Sequence, residues 1–271
     1  MTASAEILFA LLRAALGKET IPASSRCEGL DLGSVSGEVW KEVIDLSFDQ
    51  GVATIAVDGL QKLCEAHPES ELILDSPEFE DLKYEWFGEV FSCEEDAAAR
   101  AGATERLVRL WATEGIRTIV LKGAAFAQYY PNPSHRYSCD LDLFIGDDWE
   151  KGCRVLERQG VNICYEVYKD AEFHIDNVYV ECHRFLMSIR GNGTLRRMER
   201  YLRRLLAEGC TTAYDDAVVM PPLMFNALFC IEHARGHLLH GPLTLRQVCD
   251  WMLFLHAKSA SLDREYLAAA L

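Results

Sequence analysis

The segment Cys139–Ile145, CDLDLFI, constrains the fold of this 271-residue chain more tightly than any other. Asp140 and Asp142 alternate with Leu141 and Leu143. Side chains alternate along a strand with a period of two, so both carboxylates take one face and both leucines the other. Two anions that close repel unless a cation sits between them. Oxygen ligands of this kind suit a hard divalent ion, Mg²⁺ or Mn²⁺. A third acid, Glu181, lies in the run Val178–His183, VYVECH. A neighbouring strand would bring it beside the pair, and three carboxylates can hold two cations, the arrangement used for in-line attack on a phosphoryl group. Alone, Asp-x-Asp also describes the polar face of an edge strand, so its surroundings decide the matter.

Those surroundings change period twice. Residues 1–16 and 38–65 place apolar side chains at helical spacing, through Ile7, Leu8, Leu11 and Leu12, then Trp40, Val43, Ile44, Ser47 and Phe48. Between them, 17–37 is rich in Gly and Ser and contains Pro22, which reads as a connector. Residues 68–77 form a polar, proline-flanked loop, and two helices follow at 79–90 and 94–115, the second capped by Gly115. From Arg117 the pattern is that of a sheet. Strands are expected at 117–121, 141–145, 162–168, 172–175 and 178–183, with a short helix at 123–130 and another from an Asp147 cap to Gln159. Beyond Thr194 the chain reads as helical again. The expectation is an α+β fold, a mixed sheet of about five strands flanked by N-terminal and C-terminal helical regions.

The net charge of −15 is unevenly spread. Residues 1–100 hold 7 Lys and Arg against 21 Asp and Glu, while the rest hold 20 against 21. The acidic part would repel phosphates and is a poor nucleic-acid surface. No window approaches the ~20 apolar residues of a membrane helix. The N-terminus has Glu6 and Arg13 and no basic leader, so it reads as an amphipathic helix rather than a signal peptide. Ten scattered cysteines without a CxxC pair read as reduced thiols in a cytoplasmic protein that does not engage a membrane.

In the run 121–145, LKGAAFAQYYPNPSHRYSCDLDLFI, a strand ends in a Gly-containing turn, a helix follows, and the next strand carries Asp-x-Asp. With Glu181 on a later strand, this order resembles the nucleotidyltransferase superfold, the DNA polymerase β-like arrangement. More narrowly, Leu-Lys-Gly, Tyr-Tyr-Pro, an Arg and Asp-x-Asp-Leu resemble a bacterial family described only as nucleotidyltransferases, over about residues 100–255. The resemblance implies three regions: an acidic helical N-terminal region (1–100), a catalytic core (101–190) and a helical C-terminal region (191–271). It implies Asp140, Asp142 and Glu181 as catalytic, metal-binding carboxylates for Mg²⁺ or Mn²⁺. It also implies an NTP substrate and an acceptor of open identity, whether protein, RNA or small molecule, with the oligomeric state left open. A catalytically inactive nucleotide-binding or sensor protein that kept the fold is the alternative.

The superfold commonly has Gly-Ser or Gly-Gly at the turn; here Ala124 follows Gly123. The triphosphate grip then falls to other groups. Gly123 lets the backbone approach a phosphate at a helix start. Lys122 supplies a point charge and Arg136 a bidentate fork. His183 shares the face of Glu181 and is expected at the nucleotide, with contact to a metal or the acceptor also open. Arg196, Arg200, Arg203 and Arg204 line one helix, where Glu199 and Glu208 favour a solvated, neutralised face. His233 and His237 stand one turn apart, a spacing that chelates zinc in some sites. Arg246 and Asp250, at i and i+4, are expected to pair. The pattern at EYLAAAL is still helical, which leaves open whether the natural chain extends beyond Leu271.

Overall fold

The computed structural model describes residues 1–17, 32–68, 77–166, 170–187, 193–209, 211–212, 219–263, 265 and 268. The connector and the polar loop expected around 17–37 and 68–77 lie largely outside these residues, as do the end of the strand expected at 162–168 and most of the EYLAAAL tail. The chain forms two compact units. The first comprises Met1–Glu95, Tyr129–Tyr137 and Leu243–Leu253; the second comprises Asp96–Gln128, Ser138–Pro242 and Phe254–Leu271.

The first unit is helical. Helix α1 (Ala3–Leu16) starts where the Thr2 hydroxyl accepts from the Ala5 amide, and α2 (Gly37–Asp49) starts where Ser36 does the same for Val39. The stretch expected as one helix at 38–65 is two, because Gly51 turns the chain at φ +64° ahead of α3 (Ala53–Ala66). A glycine at positive φ breaks the helical ladder without a Cβ penalty. The expected faces are buried: Ile7, Leu8, Leu11, Leu12, Trp40, Val43 and Ile44 join α3 side chains and Trp86 in one core. Gly59 lets α3 come so close to α1 that a Cβ there would lie 2.0 Å from the Leu11 carbonyl oxygen.

Helix α4 (Pro77–Ala112) runs without the break expected near residue 92. No Gly or Pro interrupts that point, and the buried Cys93 thiol contacts the Ser134 carbonyl. Its first half belongs to the first unit and its second half to the second. Gly115 lies at φ +71° just past its end, as the sequence led one to expect.

The second unit is built on a seven-stranded mixed sheet, ordered β3-β4-β5-β2-β1-β7-β6. The strands are β1 (Ile119–Val120), β2 (Leu141–Phe144), β3 (Cys164–Tyr165), β4 (Asp170–Ile175), β5 (Val178–His183), β6 (Thr211–Thr212) and β7 (Val219–Met220). The first five answer the expected strands; β6 and β7 fall where only helix was expected, since two-residue strands leave no periodic trace. Helices α5 (Gly123–Ala127) and α6 (Trp149–Arg158) flank β2 in sequence, and α7 (Gly193–Gly209), α8 (Leu223–His240) and α9 (Leu245–Lys258) complete the C-terminal part. Asp147 is not the cap of α6: it lies in a 3₁₀ turn and pairs with Arg203. Among the described residues, no helix is long and apolar enough to cross a membrane.

Period-two alternation separates the faces of β2, β4 and β5. Leu141, Leu143, Ala171, Phe173, Ile175, Val178, Val180 and Cys182 are all buried on one face. The opposite face carries Asp142, Asp170, Glu172, Glu181 and His183. Asp176 and Asn177, both at positive φ, close the β4–β5 hairpin in two residues.

Within the first unit, Arg136 is buried and forks onto Asp250, Nε to Oδ1 and Nη2 to Oδ2, both at 2.7 Å. The Tyr130 hydroxyl donates to the same carboxylate at 2.8 Å. The Arg246–Asp250 pair expected from spacing is thus superseded: the Arg246 guanidinium donates to the Tyr137 carbonyl, and Arg136 arrives from 114 residues away.

Two predictions follow from this packing. Gly59→Ala should destabilise the chain by more than about 1–3 kcal/mol, the usual cost of overpacking, because backbone must move. Gly102→Ala, in open space on α4, should instead stabilise by about 0.5–1 kcal/mol in chemical denaturation. Arg136→Met should cost about 3–5 kcal/mol by leaving a buried carboxylate unpaired. Adding Asp250→Asn should restore part of that loss in a double-mutant cycle.

Candidate active site

Register sets the site. Strands β2 and β5 run parallel with Asp142 opposite Glu181 and Phe144 opposite His183. Strand β4 pairs antiparallel with β5, placing Glu172 opposite Glu181 and Asp170 opposite His183. Cross-strand partners on one face have Cβ atoms about 4.5–5.5 Å apart. The sheet therefore lines up Asp142, Glu181 and Glu172 in one row, and puts His183 beside Asp170 in the next.

The side chains close into a buried network. The Lys122 ammonium lies 2.7 Å from Asp142 Oδ1. His183 Nε2 lies 2.7 Å from that same oxygen, and His183 Nδ1 lies 2.7 Å from Asp170 Oδ1. Asp142, Asp170 and His183 are each under 5% exposed. Glu181 is half-buried, its Oε2 3.8 Å from His183 Nε2. Asp142, Glu181 and His183 each offer a ligand atom within 4.8 Å of the others, and they are the one such group of three or more found among the described residues.

The charges follow from this geometry. Burial alone would raise the Asp142 carboxyl, but the Lys122 charge and the His183 hydrogen bond outweigh it and hold that carboxyl well below the ordinary carboxylate range. Burial would lower the Lys122 ammonium; Asp142 and, more distantly, Asp140 and Glu181 raise it instead. Glu181 is pushed up by burial and by the neighbouring Asp142 charge. For His183, burial works downward, and the hydrogen bonds to Asp142 and Asp170 carry it above its usual value.

Each residue singled out in the sequence has a place. Asp142, Glu181, Lys122 and His183 come together. Asp140 lies just before β2, half-buried and next to the Ser138 hydroxyl; it acts on Lys122 and Glu181 through its charge and falls outside the 4.8 Å group. Gly123 opens α5, which has five residues instead of the eight expected. Just before it, Lys122 takes a positive φ, at φ 41° and ψ −103°. Arg136, expected to fork onto a triphosphate, belongs to the first unit and spends its fork on Asp250.

Of the arginines on α7, Arg203 is committed to Glu199, Asp147 and the Arg184 carbonyl, in keeping with a neutralised face. His233 and His237 face each other, Nε2 to Nε2 at 3.1 Å. Sequence reasoning missed Asp170. Its signal is the two-residue spacing to Glu172 and His174, but only the strand register shows that it meets His183.

Two solved structures of the antibiotic-resistance factor ANT(2'')-Ia are similar at 12% identity. The solution structure has a TM-score of 0.45 and covers 65% of this chain and 91% of that one. The crystal structure, in complex with adenylyl-2''-tobramycin, has a TM-score of 0.46 and covers 64% and 96%. No curated protein matches the sequence. Residues 36–271 match the family NTP_transf_5, described as uncharacterised nucleotidyltransferase. That span takes in nearly the whole chain, well beyond the 100–255 over which the motifs run, and the protein belongs to this nucleotidyltransferase family.

Proposed function

We propose that the protein transfers a nucleoside monophosphate from an NTP to an acceptor hydroxyl, with pyrophosphate leaving. The observation that carries this reading is Asp142 beside Glu181 across β2 and β5, with the Lys122 ammonium on Asp142. The donor set fits a divalent cation: carboxylate oxygens and an imidazole converge within 4.8 Å. Asp142 and Glu181 would hold the cation, with the Asp140 charge adding to the field at Lys122 and Glu181. A divalent ion bound there supplies counter-charge to the triphosphate and lowers the pKa of the attacking hydroxyl. Lys122 keeps Asp142 ionised and offers its positive charge to the phosphates. Glu181 is half-exposed, and burial together with the Asp142 charge raises its proton affinity.

One observation favours the inactive alternative. Asp142 Oδ1 already accepts from both Lys122 and His183, so a cation must compete with two protein groups for that oxygen.

Incubation with Mg²⁺ or Mn²⁺, each α-labelled NTP and cell extract as acceptor source tests the reading. Label should pass to an acceptor with release of pyrophosphate. Asp142→Asn and Asp140→Asn, each checked for folding by circular dichroism, should lower the rate about 10²–10³-fold, the scale of losing one preorganised electrostatic contact. Cation-dependent NTP binding without turnover would establish the inactive alternative. Undiminished transfer by both variants would remove these carboxylates from the mechanism.

A further inference from the structure

We infer that His183 is a nitrogen ligand of the divalent cation and that Asp170 is the residue that positions it, so that the site takes Mn²⁺ or a later transition ion in preference to Mg²⁺. This rests on the cation-site reading proposed above and goes beyond it in naming the ligand, the residue behind it and the metal class.

The geometry is that of an imidazole held from behind. His183 and Asp170 are direct cross-strand partners in the β4–β5 hairpin. The Nδ1–H donates to Asp170 Oδ1 at 2.7 Å. That bond fixes the ring and turns Nε2 toward the carboxylates, 2.7 Å from Asp142 and 3.8 Å from Glu181. On cation binding the Nε2 proton that Asp142 accepts in the metal-free protein leaves to solvent, which frees the nitrogen lone pair for the ion. A carboxylate behind a histidine that faces other ligands is the recurring support of metal-bound imidazoles, where it sets the tautomer and raises ligand basicity.

Burial strengthens the case. Asp170 is 2% exposed and His183 is 4% exposed. A carboxylate taken that far from water is costly unless its hydrogen bonds are well made. The His183 contact turns the imidazole toward the acidic row. His183 Nε2 lies within 4.8 Å of a ligand oxygen on both Asp142 and Glu181.

The metal preference follows from the donor set. Mg²⁺ demands oxygen ligands in near-ideal octahedral geometry and retains its waters. Imidazole nitrogen suits first-row transition ions, with affinity rising along the series from Mn²⁺. Two carboxylates with one imidazole therefore discriminate against Mg²⁺, where an all-carboxylate site would accept it.

The test uses the full chain, stripped of metal and without nucleotide. Mn²⁺ is titrated and followed by electron paramagnetic resonance, and pulsed measurements on the bound ion report a directly ligated ¹⁴N. Bound Mn²⁺ should show strong ¹⁴N modulation in the wild-type protein, which His183→Gln abolishes. Asp170→Asn should weaken Mn²⁺ binding about 10–100-fold, the usual effect of removing a group behind a ligand. It should leave the weaker Mg²⁺ affinity, read by competition, within about twofold, since an all-oxygen ion gains little from the ring. Mn²⁺ bound without ¹⁴N modulation would overturn the inference while leaving nucleotidyl transfer intact. Equal Mn²⁺ affinity in wild type and Asp170→Asn would overturn the positioning role. Absence of NMP transfer with ¹⁴N-ligated Mn²⁺ in place would count against the proposed activity alone. The wild-type measurement decides the ligand even if either variant fails to fold.

Discussion

Everything at this site depends on Asp142 staying ionised while almost wholly buried. Moving a carboxylate out of water costs several kcal/mol even after relaxation, and the cost is recovered only with close partners of opposite charge. Lys122 and His183 both reach the same oxygen of Asp142, and Asp170 answers the far side of His183. None of these groups is affordable in the interior without the others. The polar face of β2, β4 and β5 is therefore a single electrostatic unit, and strand register assembles it. A slip of one residue in β5 would turn Glu181 and His183 to the apolar side.

Much of this fold was legible because its strands alternate so cleanly. Leu141 and Leu143 against Asp140 and Asp142, and Val180 and Cys182 against Glu181 and His183, announce a sheet with one apolar and one polar face. The break from helical spacing near Arg117 marks where that sheet begins. The buried faces of α1 and α2 were equally plain, from Ile7 to Ile44. What stayed hidden has physical reasons. β6 and β7 hold two residues each, too few for any period. The break at Gly51 hides inside a run whose apolar spacing continues through it. The unbroken α4 hides behind the polar residues near 94, which read as a helix start.

Long-range pairing was the other blind spot. Spacing at i and i+4 nominates Arg246 for Asp250, yet Arg136 takes that carboxylate with both ends of its fork. A planar guanidinium that reaches both oxygens at 2.7 Å leaves little reason for a second charge. Asp170 was overlooked on similar grounds, as one acid among many in an acidic chain until the hairpin set it opposite His183. Local spacing finds what a strand or helix presents; it does not find what a distant segment brings to it.

The Leu-Lys-Gly turn carries its unusual backbone angles one residue before the glycine. Glycine is the expected bearer of unusual backbone angles, yet the positive φ falls on Lys122. A non-glycine residue there costs on the order of 1–3 kcal/mol and persists only where its surroundings insist on it. Here the Leu121 amide bonds the Asp142 carbonyl at 2.9 Å, fixing the chain just before the turn. The ammonium ends 2.7 Å from the Asp142 side chain, fixing it from the other end. Replacing Lys122 with glycine would relieve the backbone and strand the buried carboxylate. The conformation of the turn and the charge of Asp142 are therefore one constraint, with the strain in the first offset by the neutralisation of the second.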